Sequence, residues 1–224
     1  MLNNFIFVVL PYTALALLIF VTPYRYLSNR LTWSAYSTQF LERKTLFWGI
    51  NPWHYGILPV LAAHFLGVVA PGPLKAFLGN QTNLLIIESI GLALGLFAVF
   101  GCLVLLLRRV NTPILKKVTF ASDWVLLYLL LTQSVTGVYV ATFMRWGSQW
   151  YLHTAVPYLW SLLTFNPQID YMTDFPMVFK LHVAGAFLIV ALLPFTKLVH
   201  LLYIPVGFLK DAPILYKWRS KGIS

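Results

Sequence analysis

A chain of 224 residues has the length of one domain, but 59% of it is apolar and only 10% charged, which excludes an ordinary soluble enzyme and leaves room for several membrane spans. The net charge of +10 does not indicate a nucleic-acid partner, because the basic residues gather at the ends of apolar runs, where they act as topology signals. The single cysteine, Cys102, excludes an intrachain disulfide, a CxxC site and an iron–sulfur cluster, and no CxxCH is present for covalent c-type haem.

In chain order, the first apolar run covers about 5–21 and contains Pro11, which is expected to bend it. It has no basic n-region and leads straight into Tyr24-Arg25-Tyr26, so it reads as a retained span. A polar segment from Pro23 to Phe47 follows, with Arg25, Arg30, Arg43 and Lys44. The second span covers about 53–69 and is ended by Pro71-Gly72-Pro73. The third, about 84–107, stops at Arg108-Arg109, and the linker after it adds Lys116 and Lys117. The fourth covers about 124–143. Residues 144–176 form an aromatic segment with Trp146, Trp150, Tyr151, Tyr158 and Trp160, the composition of an interfacial helix at the headgroup level. The fifth span is expected over 177–203, followed by a basic tail at 204–224. The fold class is therefore an all-α integral membrane protein, with residues 1–224 forming one domain of five transmembrane helices.

Five spans put the termini on opposite sides. The segments after spans one, three and five carry most of the lysines and arginines, from Arg25 to Lys44, Arg108 to Lys117 and Lys210 to Lys221. The other side carries only Lys75, Arg145 and Lys180. The positive-inside rule then places the N-terminus outside, the C-terminus in the cytoplasm and the 144–176 segment on the outer face.

Four of the five histidines lie in two spans: His54 and His64 in the second, His182 and His200 in the fifth. His182 and His200 are eighteen residues apart, five turns of a continuous helix, which puts them on one face and roughly 27 Å apart along the axis. Span two runs outward and span five inward. If the two pack side by side, depth pairs His54 with His200 near the cytoplasm and His64 with His182 near the outer face. Pro59 and Pro194 fall between the members of the two histidine sets and can adjust their facing. Two imidazoles at each of two depths suit two haems with both axial positions filled, which transfer electrons and leave no open coordination position. Gly56, Ala62, Ala63, Gly67, Ala184, Gly185 and Ala186 lie beside these histidines and leave space for a flat ring. The plainer alternatives are histidines that hydrogen-bond between helices, small residues that only pack helices, and a zinc site, for which no carboxylate or cysteine joins the set. His153 has no partner at its depth and reads as interfacial.

The stretches LERKTLFWGINPWHYGILPVLAAHFLGVVAPG at 41–72 and VFKLHVAGAFLIVALLPFTKLVHLLYIPVGFL at 178–209 resemble the gamma subunit of respiratory nitrate reductase, a membrane cytochrome b. The length, the five spans and the histidine spacings of ten and eighteen residues agree, so the resemblance covers nearly the whole chain. It implies two haem b groups, the inner on His54 and His200 and the outer on His64 and His182. It also implies a multi-pass subunit of a bacterial or archaeal cell membrane that oxidises membrane quinol near the outer haem. Electrons then pass by way of the inner haem to an iron–sulfur subunit and a molybdenum catalytic subunit on the cytoplasmic face. Nitrate chemistry itself lies outside this chain. Better-studied members of the family have a lysine early in span three; here the region reads Gly79-Asn80-Gln81-Thr82-Asn83-Leu84. Gln81 and Asn83 are the candidates to hydrogen-bond a quinone in its place, with Gly67 beside them and Glu88 as a proton carrier; the plainer alternative is that these polar residues only cap span three. The alternatives are the same kind of dihaem subunit in a nitrite oxidoreductase, another molybdoenzyme or a sulfur-compound redox complex and, from a different class, a non-redox membrane anchor or transporter.

Overall fold

The structure, a computed structural model, describes residues 1–28, 38 and 41–202. The expected basic tail at 204–224, the last residue of the expected fifth span and the expected topology signal Arg30 lie outside those residues. The chain runs through α1 (Leu2–Ser28), α2 (Lys44–Val69), α3 (Pro71–Leu78), α4 (Gln81–Asn111), α5 (Pro113–Lys117), α6 (Ala121–Phe143), α7 (residues 147–163), α8 (Asp170–Thr173) and α9 (Met177–Phe195), then a 3₁₀ turn, Lys197–Leu201. All regular structure among the described residues is helical. Helices α1, α2, α4, α6 and α9 are long and apolar enough to cross a membrane.

The spanning helices outrun their apolar stretches because polar flanks cap them. Asn80 starts α4 by accepting the amides of Thr82 at 2.9 Å and Asn83 at 3.3 Å, so this helix begins before the apolar run does. The Glu42 carboxylate accepts the amides of Thr45 at 2.7 Å and Leu46 at 3.3 Å, which starts α2 at Lys44. In α1, Pro11 is accommodated inside the helix, preceded by a π turn at Phe5–Val9; a second π turn follows at Leu17–Val21.

Helices α2, α4, α6, α9 and α1 pack in that order, each along the next. The α2–α4 contact is the tightest. A methyl group on Gly56 would come 2.6 Å from both the Leu94 carbonyl oxygen and the Ala98 amide nitrogen. Gly101 likewise faces the backbone of Gly49 and Trp53. Gly56 thus serves close helix packing, where small residues let two backbones meet, and not the approach of a flat ring as the sequence suggested. Large apolar side chains such as Phe20, Phe65 and Phe143 are exposed around the bundle, the surface that lipid requires.

Two expectations about the histidine helices are corrected. Helices α2 and α9 do not pack side by side among the described residues; α4 and α6 lie between them in the order of packing. Nor do residues 177–202, the described part of the expected fifth span, form one helix. Pro194 has no N–H to donate, so the helix tightens to 3₁₀ over Leu193–Phe195 and ends. Thr196 is extended (φ −122°, ψ 178°), and its hydroxyl accepts the Leu198 amide at 3.4 Å to start the turn Lys197–Leu201. Arg25 of α1 donates to the carbonyl of Pro194 at this break. His200 therefore stands on a separate turn, and the five-turn spacing from His182 does not describe it.

Candidate functional site

Four side chains were singled out by chemistry, and each sits in a defined hydrogen-bond setting. His54 and His64 lie on α2, and each directs Nδ1 at a carbonyl one turn back: Ile50 at 2.8 Å and Val60 at 2.7 Å. His200 does the same within its 3₁₀ turn, to the Lys197 carbonyl at 2.5 Å. A carbonyl only accepts, so Nδ1 carries the proton in all three, and Nε2 keeps its lone pair for a metal.

His182, on α9, reaches the same state by a different route. Its Nδ1 lies 3.0 Å from the hydroxyl oxygen of Thr136 on α6. That hydroxyl donates its own proton along its helix to the Thr132 carbonyl at 2.8 Å, so it accepts the His182 N–H. Gly137 makes the approach possible, since a methyl there would come 3.0 Å from the imidazole. The Gln133 amide nitrogen lies 3.4 Å from Nε2, so Gln133 must turn aside for that nitrogen to take a metal. Its amide oxygen is buried without a hydrogen-bond partner and fills the space that Gly185 leaves open. Thr136 and Gln133 did not emerge from the sequence. Their signal was present: both are polar residues inside an apolar span.

The structure brings His54 and His200 together across the bundle, with ring centroids 6.4 Å apart and planes at 58°. Two imidazoles bound to one metal from opposite sides, with bonds of about 2.0 Å, have centres roughly 6 Å apart. With both Nδ1 atoms committed, the ring separation matches that span and both Nε2 atoms are available to a metal. His153 is exposed on α7.

The His64 end of the bundle is closed by α7, formed of Gly147–Trp150, a π turn at Tyr151–Ala155 and Val156–Leu163. This is the helix expected in the aromatic segment, and its side chains tie it to three other elements, α1, α2 and α3. Tyr151 donates to the His64 carbonyl at 2.8 Å, Trp160 to the Val68 carbonyl at 3.1 Å, Gln149 to the Leu78 carbonyl at 2.7 Å and Tyr158 to the Phe7 carbonyl at 2.7 Å. Burial pushes the Tyr151 hydroxyl up to about 12, so it remains a donor at neutral pH. Its ring meets the His64 ring edge-on, with centroids 5.0 Å apart.

Three of the four residues expected to receive a quinone make defined contacts within the fold. Glu88 accepts from the amide of Ser148 at 2.7 Å and from its hydroxyl, and so anchors the start of α7. Asn83 donates to the Phe77 carbonyl at 3.0 Å and lies under the Asn80 cap. Gly67 is buried beneath Tyr151, whose ring carbon would come 2.6 Å from a methyl group placed there. Gln81 is exposed in the first turn of α4.

At the other end, charged groups are buried. Arg108 is 3% exposed and donates to the Glu42 carboxylate at 2.6 Å, the Thr38 hydroxyl at 3.1 Å and the carbonyls of Thr38 and Glu42. Asp123, at the start of α6, pairs with Lys197 at 2.9 Å and Arg109 at 3.8 Å.

Comparison with known proteins adds to this geometry. A family model described as "Nitrate reductase gamma subunit" matches residues 3–219. The nitrate reductase gamma chain of Bacillus subtilis (strain 168) is 32% identical over 216 residues, which cover 95% of this chain and 96% of that relative. The respiratory nitrate reductase 1 gamma chain of Escherichia coli (strain K12) is 30% identical over 213 residues, 93% of this chain and 94% of the relative. The nitrate reductase-like protein NarX of Mycobacterium tuberculosis is 26% identical, across 99% of this chain but 35% of that longer protein.

Proposed function

The chain belongs to the nitrate reductase gamma-subunit family and is a membrane-anchored electron-transfer subunit of a nitrate reductase; from that premise we propose that it holds two b-type haems and draws its electrons from membrane quinol. The observation that carries the reading is the facing pair of His54 and His200, with both Nδ1 atoms tied to carbonyls and both Nε2 atoms left to a metal. His64 and His182 serve the second group. When bound, the haems supply one-electron transfer between the two faces of the membrane.

The remaining work falls to the chain's own residues. The Ile50, Val60 and Lys197 carbonyls and the Thr136 hydroxyl fix which imidazole nitrogen is available. Helix α7 closes the His64 end, where the Tyr151 ring packs edge-on against the His64 imidazole and its hydroxyl ties down the His64 carbonyl. The quinol reacts at this end, which faces outward, and releases its protons there. Because Asn83, Glu88 and Gly67 are committed to capping and packing, the quinol is placed beside Tyr151, His64 and the exposed Gln81. The basic end, from Arg43 and Lys44 to Arg108, Arg109, Lys116 and Lys117, faces the cytoplasm and receives the iron–sulfur subunit, with the molybdenum subunit beyond it.

The test is spectroscopic, on membranes that contain the intact complex. A quinol analogue should reduce two b-type components, and nitrate should reoxidise both. A protein without b-type absorption, or with haems that do not respond to quinol, would overturn the proposal.

A further inference from the structure

We infer that Asp123 is a positioning residue for His200 and acts on it through Lys197. The inference rests on the proposed sharing of one iron by His54 and His200, and names what holds the second of those ligands in place. It begins at the break in α9. His54 sits inside a continuous helix, where the backbone fixes its direction. His200 has no such support, because extended Thr196 separates its five-residue turn from α9. Its Nδ1–H donates to the Lys197 carbonyl in the same turn. That bond orients the ring relative to the turn, and leaves the turn itself to be held from outside.

Lys197 provides the hold. Its carbonyl orients His200, while its ammonium donates to the Asp123 Oδ2 at 2.9 Å. The Asp123 side chain is 5% exposed, so the pair is shielded on the acidic side, and a shielded carboxylate holds its cation firmly. Asp123 is itself immobile: it stands in the first turn of α6, the same Oδ2 accepts the Phe120 amide at 3.3 Å, and Arg109 of α4 lies 3.8 Å away. Val199, in the same turn, is buried. The imidazole of His200 is thereby referenced to α6 and α4.

The test compares the purified whole complex with its Asp123→Asn, Lys197→Met and Lys197→Arg variants by haem content, redox-poised optical spectra and low-spin electron paramagnetic resonance. Asparagine keeps an acceptor for the Phe120 amide, so a role limited to starting α6 survives that change. Asp123→Asn and Lys197→Met should each shift the potential and resonance positions of the component that His54→Ala removes, or lose that component, with the other unchanged. Lys197→Arg should keep the wild-type signature. Unaltered spectra and potentials in both charge-removing variants would overturn the inference, as would a parallel decline of both components. A wild-type complex lacking two b-type components would overturn the proposed function, and the inference with it.

Discussion

The imidazoles of His54 and His200 face each other at 6.4 Å, although one stands within a continuous helix and the other beyond a helix break. The break is what sets the direction of His200. Replacing Pro194 by alanine restores the missing donor and removes the ring that opposes helix continuation. In Pro194→Ala, α9 should extend past Thr196, carry His200 away from His54 and cost the protein one of the two proposed b-type components. Haem stoichiometry and a redox titration check this; two unaltered components would show that the break does not place the ligand.

Thr136 is the side chain that fixes the tautomer of His182. Thr136→Val keeps the shape and removes the acceptor, and losses of this kind weaken metal retention by about 10–100-fold. The His64–His182 component should therefore shift in potential or fall in occupancy, while Thr136→Ser restores it. Haem retention under dilution and midpoint potentials measure the effect.

Tyr151 and Gly67 form one packed unit over His64. Tyr151→Phe removes one hydrogen bond and should cost about 0.5–1.5 kcal/mol of stability. Gly67→Ala should cost more, about 1–3 kcal/mol, because its methyl would press on the Tyr151 ring. Gly72, with open space around it, is the control and should tolerate alanine. Thermal unfolding in detergent gives the order, and quinol-dependent haem reduction should slow in Gly67→Ala alone.

The Arg108–Glu42 clamp predicts an acid-sensitive step. Burial pushes the Glu42 carboxyl up, but the Thr45 amide and the Arg108 guanidinium outweigh it and hold the group below its ordinary 4.5. A depressed carboxylate contributes stability that is complete above the unfolded value and is lost as pH falls through the lower folded one. Arg108→Gln should thus lower stability at neutral pH, by about 1 kcal/mol because the Glu42 carboxylate is partly solvated. The gap between wild type and variant in melting temperature should narrow as pH drops below 4.5.

The five spans were legible in the sequence because apolar length and flanking charge are properties of single stretches. The histidines stood out for a similar reason, since a polar ring inside an apolar run needs a partner, and the structure brings His54 and His200 near one another. Other features depended on relations between distant residues. Pro194 was visible as a possible kink, but that it ends the helix goes with a distant partner, Arg25, which donates to the Pro194 carbonyl at the break. Gly56 looked like room for a ring and serves backbone contact between α2 and α4 instead. Glu88, an acid within a span, suggested proton transfer; the structure gives it to the start of α7, sixty residues away in the chain. Thr136 and Gln133 were readable as intramembrane polar residues, and only the fold shows that His182 is their partner.

The most direct test of the account is the number and identity of haems held by the purified complex and by its four single histidine-to-alanine variants. Two b-type components are predicted in the wild type, with His54→Ala and His200→Ala removing one of them and His64→Ala and His182→Ala removing the other. Loss of the same component from His54→Ala and His64→Ala, or a wild-type chain with no haem, would contradict it.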